Sequence, residues 1–318
     1  MAARSVVMKR KAYLSQFATT KPTALTLESS NGVSWARSRL LGKGGFGSVF
    51  LAKKKTTTFT INSEQKKKKK PFLPPQVAVK SAMFDKASSL MHENEILCDL
   101  KASPYVLKCY GDEVTELIGG QKVYNLLLEY CSGLTLQHHI IRAGRDGLPE
   151  SHVKCYALDI ARGLNHVHSC GYVHCDIKPG NILLVQDEKR TPVGFRAKIA
   201  DFGLALKEDQ AWDSGDWRGT YRYMSPEIVR DKEVGYAGDI WALGCTVVEM
   251  LSGKPCWPPE VEVDSLLQII GYSNSLPRFP SGISDEALDF LCKCFCRSSL
   301  HRWSAEKLLE HPFLSGMD

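Results

Sequence analysis

The chain has 318 residues, 43% hydrophobic and 24% charged, enough apolar material for one or two packed lobes and too much for a disordered chain. No run of about 18 apolar residues occurs, so the sequence offers no membrane-spanning helix and no membrane partner. The net charge of +6 is lopsided: residues 1–80 carry 17 Lys and Arg against 2 acids, leaving a net of −9 for the rest. Basicity without an accompanying aromatic or groove-reading motif argues against a specific nucleic-acid partner.

Residues 1–33 lack periodicity and are read as a flexible extension. The segment is basic and holds no acid before Glu28. It has no apolar run of the kind a secretory signal needs, and it resembles a transit peptide only weakly. Ala2 excludes N-myristoylation. From Trp35 the pattern turns strand-like, and two apolar strands flank the glycine cluster in SRLLGKGGFGSVFLAK. Residues 53–75 then interrupt it with a polar, Lys-rich stretch (five lysines at 66–70) that ends in prolines. Such a charge block is read as a solvated loop between strands; a nuclear localisation signal and a docking patch for an acidic partner are the other readings. Strands are expected at 76–81, 106–110 and 123–130, with a helix at 88–100.

After Gly133 the pattern becomes helical. Val153, Ala157, Ile160, Leu164 and Val167 recur at helical spacing within 151–169. Further helices are expected at 239–251, 284–296 and 304–309. The result is an α+β chain, a β-rich lobe (34–130, carrying the 53–75 insertion) followed by a helical lobe (131–315), with no internal repeats. Eleven cysteines without a framework or a secretory signal are read as free thiols in a reducing compartment, cytoplasm and/or nucleus. Cys292, Cys294 and Cys296 lack metal partners at fingerlike spacing. They are placed on a helix whose core face is expected to hold Leu288, Leu291, Cys292 and Phe295.

The chemistry gathers in four segments. Gly42-Lys43-Gly44-Gly45-Phe46-Gly47-Ser48-Val49 is followed by a strand, not by the helix that a dinucleotide fingerprint requires. A hairpin of that kind can lay backbone N–H groups over phosphates. Lys80, amid the small apolar residues Val77, Ala78 and Val79, needs a partner if buried, and Glu93 and Glu95 follow on the expected helix. By itself Lys80 also fits a surface lysine at a strand end. The segment His174-Cys175-Asp176-Ile177-Lys178-Pro179-Gly180-Asn181 combines a proton-accepting carboxylate, a cation and a metal-holding amide, and Asp201-Phe202-Gly203 adds an acidic metal ligand. Base, cation and metal ligands together are what phosphoryl transfer demands.

These segments resemble the protein kinase signature set, and the resemblance covers about residues 35–315. Ser225-Pro226-Glu227, the Asp239–Gly244 stretch DIWALG and Arg302 resemble further motifs of the same family in the same order. The resemblance implies a bilobal fold, ATP and Mg²⁺ as cofactors, and a protein substrate. It makes Asp176 the base, Lys178 the group on the γ-phosphate, and Asn181 and Asp201 the Mg²⁺ ligands. It puts Lys80 on the α/β-phosphates, paired with Glu93 or, as the fallback, Glu95. Leu41, Val49, Ala78 and Leu183 would enclose the adenine, Leu128 would be the gatekeeper, and Glu129 and Cys131 would offer backbone hydrogen bonds. Gly42 through Val49 would cover the nucleotide. Lys178 and the Gly219-Thr220 pair resemble serine/threonine kinases, in which that threonine bonds the catalytic Asp and Lys. Ser214 is noted as a loop phosphosite. VAVKSAMF, GTYRYMSPEIV and DIWALGCTVVEMLSGKPCW resemble plant mitogen-activated protein kinase kinase kinases of the short, kinase-domain-only branch. That implies a downstream kinase kinase as substrate, and the expected state is a monomer.

The pattern breaks at Cys175, where the family has arginine. That arginine ordinarily holds a phosphorylated activation loop by charge-assisted bonds. Its replacement predicts an enzyme largely independent of loop phosphorylation, with the base chemistry untouched. The rival readings are a kinase-shaped scaffold without catalysis and a serine/threonine kinase of another group. Lys80, Asp176, Asn181 and Asp201 are all present, which argues against the scaffold.

Overall fold

The computed structural model describes residues 31–316 except 46, 56–72, 102, 191 and 211–216. Phe46, the lysine run at 66–70 and Ser214 lie outside the described residues, and so do the readings placed on them. Five antiparallel strands form the first lobe: β1 (Trp35–Gly44), β2 (Gly47–Lys54), β3 (Gln76–Met83), β4 (Cys109–Glu116) and β5 (Lys122–Glu129), in the order β1-β2-β3-β5-β4. Strand β3 is buried from Val77 to Ala82, so its sequence reads as a near-continuous apolar run and not as an alternation. Lys53 pairs with Gln76, so the basic insertion is the connection of the β2–β3 hairpin. The strand expected at 106–110 begins later. Val106 makes only an isolated bridge to Ile199, and ladder pairing starts at Cys109. The alternation that marks this edge strand lies in the polar stretch CYGDEVTE, where hydrophobicity is a weak guide.

Helix α1 (Ser88–Asp99) packs its Leu90, Ile96 and Leu97 into the core. The second lobe holds α2 (Leu136–Ala143), α3 (Glu150–Ser169), α4 (Pro226–Asp231), α5 (Tyr236–Ser252), α6 (Val263–Tyr272), α7 (Asp285–Cys294) and α8 (Ala305–Leu309). The short ladders β6 (Tyr172–Val173) with β9 (Leu206–Lys207) and β7 (Ile182–Gln186) with β8 (Phe195–Ile199) carry the catalytic segments between the lobes. Helix α5 is buried along 14 consecutive residues, Gly238 to Leu251, a stretch that is apolar save for Asp239, Thr246 and Glu249. No described helix is long and apolar enough to cross a membrane.

Helix α7 corrects the expected core face. Ala287, Phe290, Leu291 and Cys294 are buried, while Leu288 and Cys292 are exposed. Ser284 fixes the phase: its hydroxyl accepts from the Ala287 N–H and donates to Glu150. Gly244 on α5 reinforces it, since a Cβ there would stand 2.8 Å from the Cys294 Cβ. The buried Glu227 and Arg302 join α4 to the segment before α8, with contacts of 2.6 and 2.9 Å, and Arg302 also donates to Ala237 O.

Candidate active site

The glycine hairpin closes with Gly44 opposite Gly47. Only Gly47 is sterically compelled there: its φ is +136° and a Cβ would stand 2.4 Å from Ser81 O. A Cβ on Gly42, Gly44 or Gly45 would meet nothing within 4 Å, so these glycines face open space. Ser48 is buried, Lys43 and Leu41 are exposed, and Val49 is half-buried. Ala78 and Leu128 face each other across β3 and β5 and are buried, as is Cys131 beyond them; Leu183 lies half-buried on β7. The Glu129 N–H donates to Lys108 O, and its carboxylate holds Lys198 at 2.8 Å. With its amide so engaged, what Glu129 presents is its carbonyl.

Lys80 lies between two acids. Its Nζ is 2.7 Å from Glu93 Oε2 and 2.8 Å from Asp201 Oδ1, and Glu95 takes no part in this cluster. Burial alone would lower the Lys80 pKa, but the two carboxylates outweigh it and raise it, so the ammonium is kept. Burial pushes Glu93 upward against the pull of Lys80. The Asp201 carboxyl is also partly desolvated, yet Lys80 holds it below the usual range. Asp201 has φ +67° and leads into the fully buried Phe202, whose N–H donates to Glu93 Oε1.

Asp176 is the other centre. Its Oδ2 accepts from Lys178 Nζ at 2.7 Å and from Asn181 Nδ2 at 2.9 Å, and its Oδ1 accepts from the Thr220 hydroxyl at 2.7 Å. Lys178 also donates to Thr220 Oγ1 at 2.7 Å. The Asn181 amide nitrogen faces Asp176, which leaves Asn181 Oδ1 as the atom available to a cation. Asn181 and Asp201 are oxygen donors. Mg²⁺ binds through one or two protein oxygens plus phosphate and water, so the pair fits it without a larger acidic cluster, and none exists among the described residues.

Sequence reasoning named the DIWALG stretch but not what Asp239 does. Asp239 is buried at the start of α5 and accepts three bonds, from the His174 N–H (2.8 Å), the Cys175 N–H (2.9 Å) and His168 Nε2 (2.9 Å). His174 in turn bonds Ala200 O and stacks edge-on against Phe202. The catalytic loop is thereby fastened to the most buried of the described helices. A carboxylate followed by the apolar run Ile240 to Leu243 was the available signal, because such a group must be hydrogen-bonded if it is buried.

The protein kinase domain family matches residues 35–314. The chain belongs to that family. It is 40% identical over 289 residues to mitogen-activated protein kinase kinase kinase 20 of Arabidopsis thaliana, covering 89% of this chain and 79% of the relative. It is 37% identical to kinase kinase kinase 17 of the same plant, with 89% and 70% covered. At 33% it is similar to mitogen-activated protein kinase kinase 9 of that plant, with 92% and 89% covered. The chain is thus a serine/threonine protein kinase with ATP as its phosphoryl donor.

Proposed function

We propose that this kinase phosphorylates a serine or threonine of a downstream kinase kinase, acting as a mitogen-activated protein kinase kinase kinase. The observation that carries the reading is the Asp176–Lys178–Thr220–Asn181 cluster set against the Lys80–Glu93–Asp201 cluster. The first orients a base and a cation, and the second positions a cation and a carboxylate at the nucleotide. Similarity to kinase kinase kinases 20 and 17 supports the tier, and similarity to a kinase kinase makes it worth testing.

In this mechanism the substrate hydroxyl is aligned by Asp176. Its oxygen forms a bond to the γ-phosphorus as the bond to the bridging oxygen of ADP breaks, and Asp176 takes the proton. Lys178 neutralises the transferring phosphoryl group, and Lys80 holds the α/β-phosphates. Asn181 and Asp201 would hold Mg²⁺, which would supply charge neutralisation for the phosphates. Leu41, Val49, Ala78 and Leu183 enclose the adenine, with Leu128 behind it and the backbone of Glu129 and Cys131 along its edge. The enzyme works as a monomer in the cytoplasm or nucleus, and its free thiols support a reducing compartment. The test offers three inactive substrates: a kinase kinase, a terminal kinase and a generic protein. Phosphate on the kinase kinase alone supports the tier, and preference for the terminal kinase overturns it.

A further inference from the structure

Cys175 precedes the base and carries no charge. Its φ is +67°, its N–H is held by Asp239, and burial pushes its thiol pKa far up. A positive charge reaches it from the activation segment. Arg218, two residues before Thr220, is buried with its guanidinium turned inward. Its Nε donates to Leu204 O and its Nη2 to Ala205 O at 3.4 Å, directly after Asp201-Phe202-Gly203. The same side chain lies beside Cys175, whose Sγ is turned to Val173 O. Arg218, Cys175, Thr220 and Asp239 line one small cavity beside Asp176.

The next residue tightens this junction. Gly219 has φ +103°, and a Cβ there would stand 2.4 Å from Cys175 O. The backbone of the activation segment therefore lies against the catalytic loop at the point where Thr220 reaches Asp176. One arginine thus connects three places: the turn after the metal-holding Asp201, the residue before the base, and the threonine that orients the base.

We propose that Arg218 is a positioning residue that closes the activation segment onto the catalytic loop, replacing the phosphate-bridged closure that an arginine at position 175 would serve. In the phosphate-dependent arrangement the loop brings the anion and the catalytic loop brings the cation. Here the loop brings the cation, and its acceptors are backbone carbonyls present from synthesis onward. Thr220 is seated without a modification, and the enzyme is active as made. The proposal rests on the kinase reading above.

The test uses the full chain, treated with a broad-specificity phosphatase that is then removed. The assay measures kcat and the KM for ATP on a generic protein substrate, for wild type, Arg218→Gln, Arg218→Lys and the remote control Lys293→Gln. Dephosphorylated wild type and Lys293→Gln keep their kcat. Arg218→Gln loses about tenfold or more in kcat while its KM for ATP stays within about twofold. Arg218→Lys, which keeps the charge without the fork, falls between. Amide hydrogen exchange at 204–207 rises in Arg218→Gln. The proposal is overturned if phosphatase abolishes wild-type activity, if Arg218→Gln retains kcat within about twofold, or if kcat, nucleotide affinity and thermal midpoint fall together. Should Arg218→Gln fail to fold, the kcat-against-KM split of Arg218→Lys decides by the same criteria. A wild type that transfers no phosphate even before treatment would instead strike the kinase reading itself.

Discussion

Replacing Thr220 with valine keeps its shape and removes one hydroxyl. That hydroxyl donates to Asp176 Oδ1 and accepts from Lys178 Nζ, each at 2.7 Å. Hydrogen bonds to charged groups contribute about 1.5–3 kcal/mol each. The contact to Lys178 can be given up when that ammonium turns to the phosphoryl group, so the bond to Asp176 is the one that counts throughout the reaction. Losing it frees the base from its alignment and slows kcat about 10- to 150-fold. Thr220→Ser keeps the donor and stays within about threefold of wild type. Steady-state phosphate transfer gives both constants. The KM for ATP is expected to hold, because Thr220 contacts neither Lys80 nor the glycine hairpin. A Thr220→Val kcat within about threefold of wild type would refute the reasoning, as would a parallel loss of nucleotide affinity.

Glu249 on α5 predicts a pH dependence of stability. Burial lifts its pKa from 4.5 to about 7 against the pull of the Tyr223 hydroxyl, the Cys256 N–H and Arg222. The folded state binds this proton more tightly than the unfolded state. The contribution is therefore fully present below about pH 4.5 and lost as the pH rises through 7, a fall of roughly 3 kcal/mol. Urea unfolding from pH 5 to 8 should show this contribution in wild type and its loss in Glu249→Gln. Arg302→Ala leaves Glu227 as a buried unpaired charge and costs about 3–5 kcal/mol by denaturant unfolding. A thiol reagent on the native protein should show three fast cysteines, Cys98, Cys170 and Cys292, with the other eight slow. Rapid reaction of Cys294 would contradict the packing of α7.

The parts of the site that were legible in the sequence are those whose chemistry is local. Asp176, Lys178 and Asn181 share one short loop, so their spacing already implies a common centre. The Lys80–Glu93 contact needed one helix packed against one strand, and the sequence left two glutamates open. Helical phase then decided it, since Glu93 shares the buried face with Leu90, Ile96 and Leu97. Phase also explains the error on α7. Apolar residues and cysteines occur on several sides of that short helix, and only packing against α5 shows which side is buried. Helix α6, at ten residues, is short for a periodicity argument, and the ladder of β4 runs through polar residues that hide where it starts. Arg218 could not be read at all. Its acceptors are main-chain carbonyls 13 and 14 residues earlier, and no side-chain pattern announces a carbonyl. Asp239 falls between these cases, because its oddity was visible in the sequence and its three partners were not.

The most direct test of the central claim is transfer of radiolabelled γ-phosphate from ATP with Mg²⁺, comparing the purified chain with its Asp176→Asn variant. Asparagine keeps the size and can still meet Lys178 and Thr220, but it cannot take up the proton. Label is expected on serine or threonine with the wild type, with a loss of about 100-fold or more in the variant while nucleotide binding persists. Equal transfer by both proteins, or nucleotide binding without transfer by the wild type, would contradict that claim.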